Sequence, residues 1–453
     1  MKNRPLVLKE VVDSDLCIGC GACVDACPSN ALDMKWDEKG LLIASNNLNE
    51  CDNDGACLAV CPFNPDPPSR LRTEDEISQI FLDSASLSHL KIGRYVGIYA
   101  GYSKKFRQTS SSGGIATYVF EQLLLKGIVD HIITVSDSET ELNHYDYQII
   151  SDPKNILRTS GTRYYPVSMD NVLGRIRGLR GKVAISGVAC FIKALRLAQE
   201  NDPIFKEKIV FLSGIICGGV KSKYFTDYLG SKVEVNVSAI REPNYRVKDH
   251  YSTANDYAFS CMDDASKKWK SIKMKSVGDM WGTGLFKANA CDFCDDVTTE
   301  LADISLGDAW IDPYRKDGSG HNVIVTRSSL ADELIRQGSE SNELEIEPLP
   351  REYFLKSQQG SFNHRHDGLN TRGRLRSNRG YKVPPKRHGK VKQPFHLVLV
   401  QRLRQSVRSR SLRIWRETLD AKEFDKRMSK YLLMLKAATK FSNLIKNYKR
   451  GKS

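Results

Sequence analysis

The chain has 453 residues, 40% of them hydrophobic and 27% charged, enough for two or three domains with substantial cores. No stretch approaches the roughly 18 apolar residues of a membrane span, and residues 1–15 lack the apolar segment of a signal peptide. The net charge of +14 is unevenly held: residues 371–453 carry 25 Lys/Arg against 4 Asp/Glu, leaving 43 against 50 elsewhere, so an acidic body bears a basic tail.

Seven of the twelve cysteines lie in the first 61 residues. Cys17, Cys20, Cys23 and Cys27, followed by Pro28, make the C-x2-C-x2-C-x3-C-P run that holds cubane iron–sulfur clusters. A second run starts at Cys51 and ends at Cys57, Cys61 and Pro62, but Asp54 stands where its second cysteine belongs. In such pairs the cysteine before proline crosses to the other cluster. One 4Fe–4S cluster is therefore expected on Cys17, Cys20, Cys23 and Cys61, and the other on Cys51, Cys57 and Cys27 with Asp54 or nothing. A carboxylate is a hard, exchangeable ligand beside soft thiolates, so the second cluster is either an oxygen-ligated 4Fe–4S or a 3Fe–4S. Two zinc sites would need eight ligands in paired form, and a disulfide scaffold does not precede a long cysteine-poor chain. Ligation by free thiolates places the protein in a reducing cytoplasm.

A two-cluster ferredoxin-type domain is expected over residues 1–68. Pro62, Pro65, Pro67 and Pro68 close it, because proline forbids helix or central strand there. Residues 69–91 form a linker, with a helical connector predicted over 74–89. The sequence Ser110-Ser111-Ser112-Gly113-Gly114 then opens a predicted helix over 115–126, capped at Gly127, and residues 130–135 read as a buried strand. A Ser/Gly loop at a helix start offers backbone amides to a phosphate, although serine and glycine are also ordinary helix-entry residues. Strands predicted over 182–186 and 208–216 are followed by Cys190 and Cys217, then by helices over 191–199 and 221–229. Ligands bind at that edge of an open α/β sheet. With Cys291 and Cys294 these cysteines are enough for a third cluster, or equally for two buried structural thiols and a zinc half-site. Cys261 has no partner and is expected in the core as a small hydrophobe.

These residues carry a family likeness. Over roughly residues 13–372 the chain resembles the beta subunit of coenzyme F420-reducing hydrogenases and dehydrogenases. The resemblance rests on the ferredoxin motifs, Ser111-Ser112-Gly113-Gly114, residues 160–164, Gly187-x2-Cys190, Cys217-Gly218, Cys291-x2-Cys294-Asp295, the stretch 302–310 and the closing strand 322–327. It implies a flavoprotein with FAD and a 4Fe–4S cluster in the α/β body. It implies Cys190, Cys217, Cys291 and Cys294 as ligands of that cluster. It implies an FAD site of Ser111, Ser112, Gly113, Gly114, Thr162, Arg163, Tyr164, Asp303, Gly307 and Asp308. The FAD-binding part then spans residues 92–170, and the part with the third cluster spans 171–370. Ala189 and Phe191 stand where members often have proline and glutamine, and Gly218 where many have histidine. The expected fold is thus a bacterial-type α+β ferredoxin domain, an α/β flavin- and cluster-binding body, and a basic amphipathic helical tail over 371–453.

Clusters move single electrons and a flavin exchanges two, so the combination converts between a one-electron donor and a two-electron organic substrate. The resemblance implies coenzyme F420 as that substrate. A ferredoxin-dependent reductase of another compound, or an electron-transfer subunit with no substrate of its own, are the alternatives. The expected partner is an electron donor such as a ferredoxin or a hydrogenase or dehydrogenase subunit. No triad or carboxylate pair points to a hydrolase. In the tail, Phe424, Met428, Tyr431, Leu435, Ala438, Ile445 and Tyr448 recur at helical spacing, interrupted by Ser442 and Lys449. Such a stripe faces the acidic body of the same chain, an anionic membrane surface, or nucleic acid without sequence specificity. Because the tail lies outside the resemblance, its removal after Tyr381 is expected to leave the cofactors in place.

Overall fold

The computed structural model describes residues 4–47, 49–140, 143–388 and 393–450; within the last helix the side chains of residues 446, 447, 449 and 450 are outside the description. Eight strands form one mixed sheet: β1 (Gly97–Ser103), β2 (His131–Asp137), β3 (Tyr145–Ile150), β4 (Val183–Val188), β5 (Ile209–Ile215), β6 (Ile304–Asp308), β7 (Asn322–Thr326) and β8 (Leu344–Pro348). Their spatial order is β8-β1-β7-β6-β5-β4-β2-β3. The central four, β6, β5, β4 and β2, run parallel, and antiparallel strands extend the sheet on both sides. A parallel core is covered on both faces, which is why β4 and β5 read as near-continuous apolar runs. Helix α1 (Ile115–Leu125) packs Ile115 and Val119 over Ile132, Ala184 and Phe211. Helix α2 (Ala189–Asn201) packs Ile192 and Leu195 over Ile133, Ile185 and Leu212, the alternate residues facing the other side.

The helices predicted over 115–126 and 191–199 are α1 and α2. The one predicted over 221–229 is α3 (Tyr224–Lys232), which starts later because Lys221 pairs with Lys287 in an isolated bridge. The connector predicted over 74–89 is helical only over Glu74–Phe81, begun by a Thr73/Glu76 capping box. Leu82 leaves helical geometry, and Asp83 and Ser84 follow, residue types whose side chains compete for the backbone. Leu87–His89 pairs instead with Gly93–Tyr95. The sheet also continues past the expected closing strand, since β8 adds to the free edge of β1. A separate three-stranded sheet (Ile240–Val247, Ala258–Asp263, Lys268–Lys273) fully buries Cys261 in its middle strand.

The amino-terminal region is a ferredoxin-like hairpin, Leu32–Trp36 with Leu42–Asn46, and two short helices, Ala22–Asp25 and Ala56–Ala59. It is not sealed off from the body. Ile18 and Phe63 share one core with Phe191, Ile192 and Phe293, and the Met169 amide donates to the Cys20 carbonyl at 3.0 Å.

The tail is not the separable appendage the charge boundary suggests. Arg372, in helix α4 (Leu369–Ser377), is buried and donates to the Asp292 carbonyl (2.6 Å) and to Gln401 (2.7 Å). Arg387 bonds both carboxylate oxygens of Glu300 at 2.7 and 2.6 Å. Helix α5 (Phe395–Thr418) delivers Arg408 to Asp292 at 3.0 Å, and its Ser411 hydroxyl accepts from the Phe286 amide at 2.9 Å. It also buries Trp415 against Phe286, Tyr228 and Phe424. Helix α6 (Ala421–Arg450) turns back along α5 and buries Phe424, Met428, Leu435 and Ala438, most of the predicted stripe. Tyr448 belongs to that stripe by spacing, but it is exposed. Ser442 is buried and bonded to His396, while the Lys449 side chain is outside the described residues. The charge asymmetry is therefore in part internal pairing: cations of the tail sit on carboxylates of the body. Among the described residues no helix is long and apolar enough to cross a membrane.

Candidate functional site

Three groups of thiols are brought together. Gly21 and Gly55, both at φ 80°, open the helices that carry Cys23 and Cys57. A Cβ at Gly21 would lie 2.3 Å from the Ser168 hydroxyl, so only glycine lets this turn approach the body. Cys17 and Cys20 raise the proton affinity of Cys23 and Cys61, and Cys57 is raised in the same way by Cys27 and Cys51. Cys57 also acts on Cys23 and Cys61, so the two sets of thiols lie against each other. Burial is the larger cause and pushes Cys20 up to about 12. Amides donate to two of the sulfurs: Ala31 to Cys27 at 3.3 Å and Asn53 to Cys51 at 3.4 Å. Asp54 is exposed, and its carboxylate accepts from the amide of Ala56, the first residue of the helix of Cys57, at 3.1 Å.

Cys190 lies at the start of α2, Cys217 just past β5, and Cys291 and Cys294 in and after the turn Asn289–Phe293. All four line a small cavity closed by Ile18 and Phe63 from the ferredoxin region and by Val188, Ala189, Val220 and Arg365. The sulfurs are met by donors: Gly219 to Cys217, Val220 to Cys291 and the Arg365 guanidinium to Cys294, each at 3.2 Å. Arg365 also donates to the carbonyls of Asp296 and Cys217, both at 2.6 Å. Burial pushes the Cys294 thiol up to about 12, and Arg365 opposes that shift most among its neighbours. Between the two turn cysteines, Asp292 is held well below the carboxylate range; burial works against this, and Lys287 and Arg408 overcome it.

A second, larger cavity of about 700 Å³ opens at the carboxyl ends of the parallel strands and shares Val188, Cys217 and Val220 with the first. Ser111, Ser112, Gly114, Thr162, Arg163, Tyr164, Gly307 and Asp308 line it. Ser111 accepts from the Thr162 amide at 2.8 Å, tying the two loops together. Gly113 lies behind the wall, where a Cβ would be 2.7 Å from the Gly101 carbonyl. Asp303 is not among the lining residues: it immediately precedes β6, at the opposite end from Asp308, paired with Arg196 at 3.1 Å and accepting from the Leu212 amide.

Sequence reasoning missed the opposite wall. Arg246 is buried, pairs with Asp308, lies over the Tyr257 ring at 4.6 Å, and has an Nε without a partner. Tyr164 meets Trp281 edge-on at 4.7 Å. Lys221 donates to the carbonyls of Met280 (2.7 Å) and Leu285 (2.6 Å) and lies 4.4 Å from the Trp281 ring; burial pulls its pKa down to about 7. Trp281 fills the space beside Gly218, where a Cβ would be 3.1 Å from the indole. Only a sequence signal linking positions 218, 246 and 281 would reveal this wall, and none is local.

Residues 98–174 match the N-terminal region, and residues 180–352 the C-terminal region, of the coenzyme F420 hydrogenase/dehydrogenase beta subunit; residues 16–64 match a 4Fe–4S dicluster domain. The chain belongs to this beta-subunit family. Family membership makes it an iron–sulfur oxidoreductase with an amino-terminal dicluster domain. It is 22% identical over 358 residues to a subunit of the F(420)H(2) dehydrogenase of Methanosarcina mazei, covering 76% of this chain and 89% of that one. Over 364 residues it is 22% identical to the coenzyme F420-dependent sulfite reductase of Methanocaldococcus jannaschii, covering 75% of this chain but only 49% of that protein. A chain from the structure of the F420-reducing [NiFe] hydrogenase complex of Methanosarcina barkeri superposes with a TM-score of 0.51 at 18% identity, over 66% of this chain and 99% of that chain, a likeness of fold.

Proposed function

We propose that this beta-subunit-family protein is an electron-transfer flavoprotein, working with an electron-donating partner and exchanging hydride with a coenzyme F420-type organic substrate. The observation that carries the reading is the order of the three places. Ile18 and Phe63 of the dicluster region close the cavity of the four body thiols, and that cavity shares Val188, Cys217 and Val220 with the 700 Å³ cavity. The dicluster side, the body thiols and the large cavity are thus adjacent in series.

Cys190, Cys217, Cys291 and Cys294 would hold a third 4Fe–4S cluster. The three donors at 3.2 Å favour ionised sulfur, the form that binds iron. The large cavity would hold FAD, which when bound supplies exchange of one electron on the cluster side and two on the substrate side. The fit rests on its volume, on the Ser111–Thr162 loops and on the buried Arg246 Nε, a donor without a partner in the lining. Arg246 would place positive charge against the ring system or its anionic substituents. Tyr164 and Trp281 would supply flat apolar contact and keep water out. Lys221 would hold the Met280–Leu285 loop, and so Trp281, in position.

The test is the inventory of the protein purified without oxygen. Ligand counting gives roughly 11 to 12 irons with matching sulfide and one FAD released on denaturation. Dithionite should bleach the flavin, and reduced coenzyme F420 should do the same. Iron near eight with no flavin would refute the body assignments. A flavin that forms but ignores coenzyme F420 would refute only the substrate.

A further inference from the structure

We propose that the solvent face of α6 binds the surface of an anionic membrane. The helix carries two apolar stripes. One, containing Phe424, Met428, Leu435 and Ala438, is buried against the body and α5. The other consists of Leu433, Ala437, Phe441 and Leu444, at spacings of four, four and three residues, with Met434 beside it. All five are exposed: Leu433 is 65%, Met434 55%, Phe441 55% and Leu444 68% accessible. A helix docked on its own protein needs one apolar face; a continuous second face turned to water lowers solubility unless something covers it. At the same end of the α5–α6 hairpin, where His396 and Ser442 are bonded at 2.9 Å, Phe395 is 77% exposed.

Charge selects the occupant. After Asp425 the sequence holds nine Lys/Arg and no Asp or Glu. Lys430, Lys436 and Lys440 are exposed around the stripe, the Lys430 amine lying 5.1 Å from the Tyr431 ring; lysine amines on such a face reach headgroup phosphates while their stems follow the apolar side chains inward. A second copy of the chain would bring the same cations face to face, which opposes self-pairing through this surface. Bulky apolar side chains on a lysine-bordered face match the chemistry of an interfacial helix that lies in the plane of anionic lipid. The stripe that begins at Phe424 anchors the helix to the body, and its neighbour is left to meet the lipid. This inference does not depend on which cofactors the body holds.

The test is flotation of the full-length, cluster-loaded protein with vesicles of phosphatidylcholine mixed with phosphatidylglycerol, compared with phosphatidylcholine alone. Binding is expected to the mixed vesicles and to fade at high salt. Replacing Leu433 and Phe441 together by serine should weaken it at least tenfold, with iron content and sedimentation unchanged, because both side chains lie in solvent. Lys436→Gln and Lys440→Gln should each cost about fivefold. Failure to float with the anionic vesicles, or equal flotation of the serine variant, would overturn the proposal. So would a dimer of the wild-type protein that the serine variant converts to monomer, which would give the stripe to a second copy.

Discussion

Replacing Arg365 by methionine removes a guanidinium that touches a proposed cluster ligand while keeping much of the buried volume. Arg365 is 3% exposed and donates to the Cys294 sulfur at 3.2 Å. An electron added to a cluster on Cys294 would sit one iron–sulfur bond farther away, about 5.5 Å from the charge. At an effective dielectric constant of about 20 the attraction is about 3 kcal/mol, or roughly 130 mV for a one-electron couple at 59 mV per tenfold. The methionine variant should therefore lower the potential of the body cluster by up to that amount, and Arg365→Lys should retain most of it by keeping the charge. The assay is a redox titration followed by electron paramagnetic resonance, with the two dicluster signals of the same molecule as internal controls. A merely structural role would lower iron content or shift all three signals. A body signal that titrates within about 20 mV of wild type, at full iron content, would refute the reasoning.

Asp54→Cys should convert the second dicluster site to four thiolates. The 3Fe–4S signal expected of the air-oxidised wild type should vanish, and an unchanged spectrum would show that Asp54 is not at the cluster. Asp227→Asn tests a buried carboxyl whose pKa burial raises from 3.8 to about 6 despite Lys223 nearby. A carboxyl raised on folding binds more protons in the native state, so its cost grows between pH 4 and 6 and is constant above. Thermal unfolding should accordingly show the asparagine variant more stable by about 2–3 kcal/mol above pH 6, with the difference shrinking as pH falls toward 5; a difference independent of pH would contradict the shift.

The cysteine spacings by themselves determined the dicluster domain, because a cluster ligand set is written within one short turn and glycine has to open that turn. They also located Cys190 and Cys217 at the carboxyl edge of a sheet, since strand and helix periods are local signals that alternate along β4, α2 and β5. Beyond that range the sequence was silent. Arg365, Arg246 and Trp281 come from segments far apart in the chain, and no local pattern says that they surround one sulfur or one cavity. Asp303 shows the converse: it stands in the same short stretch as Gly307 and Asp308, yet β6 carries it to the far end of the sheet. The tail makes the limit plainest. Helical periodicity reports which side chains share a face but not what that face meets, and α6 has two apolar faces with the same signature. Only the tertiary structure decided between them, because the carboxylates and aromatic rings that hold one face, Asp425 against Tyr228 and Phe424 against Phe286, become neighbours when α3 and the tail fold together.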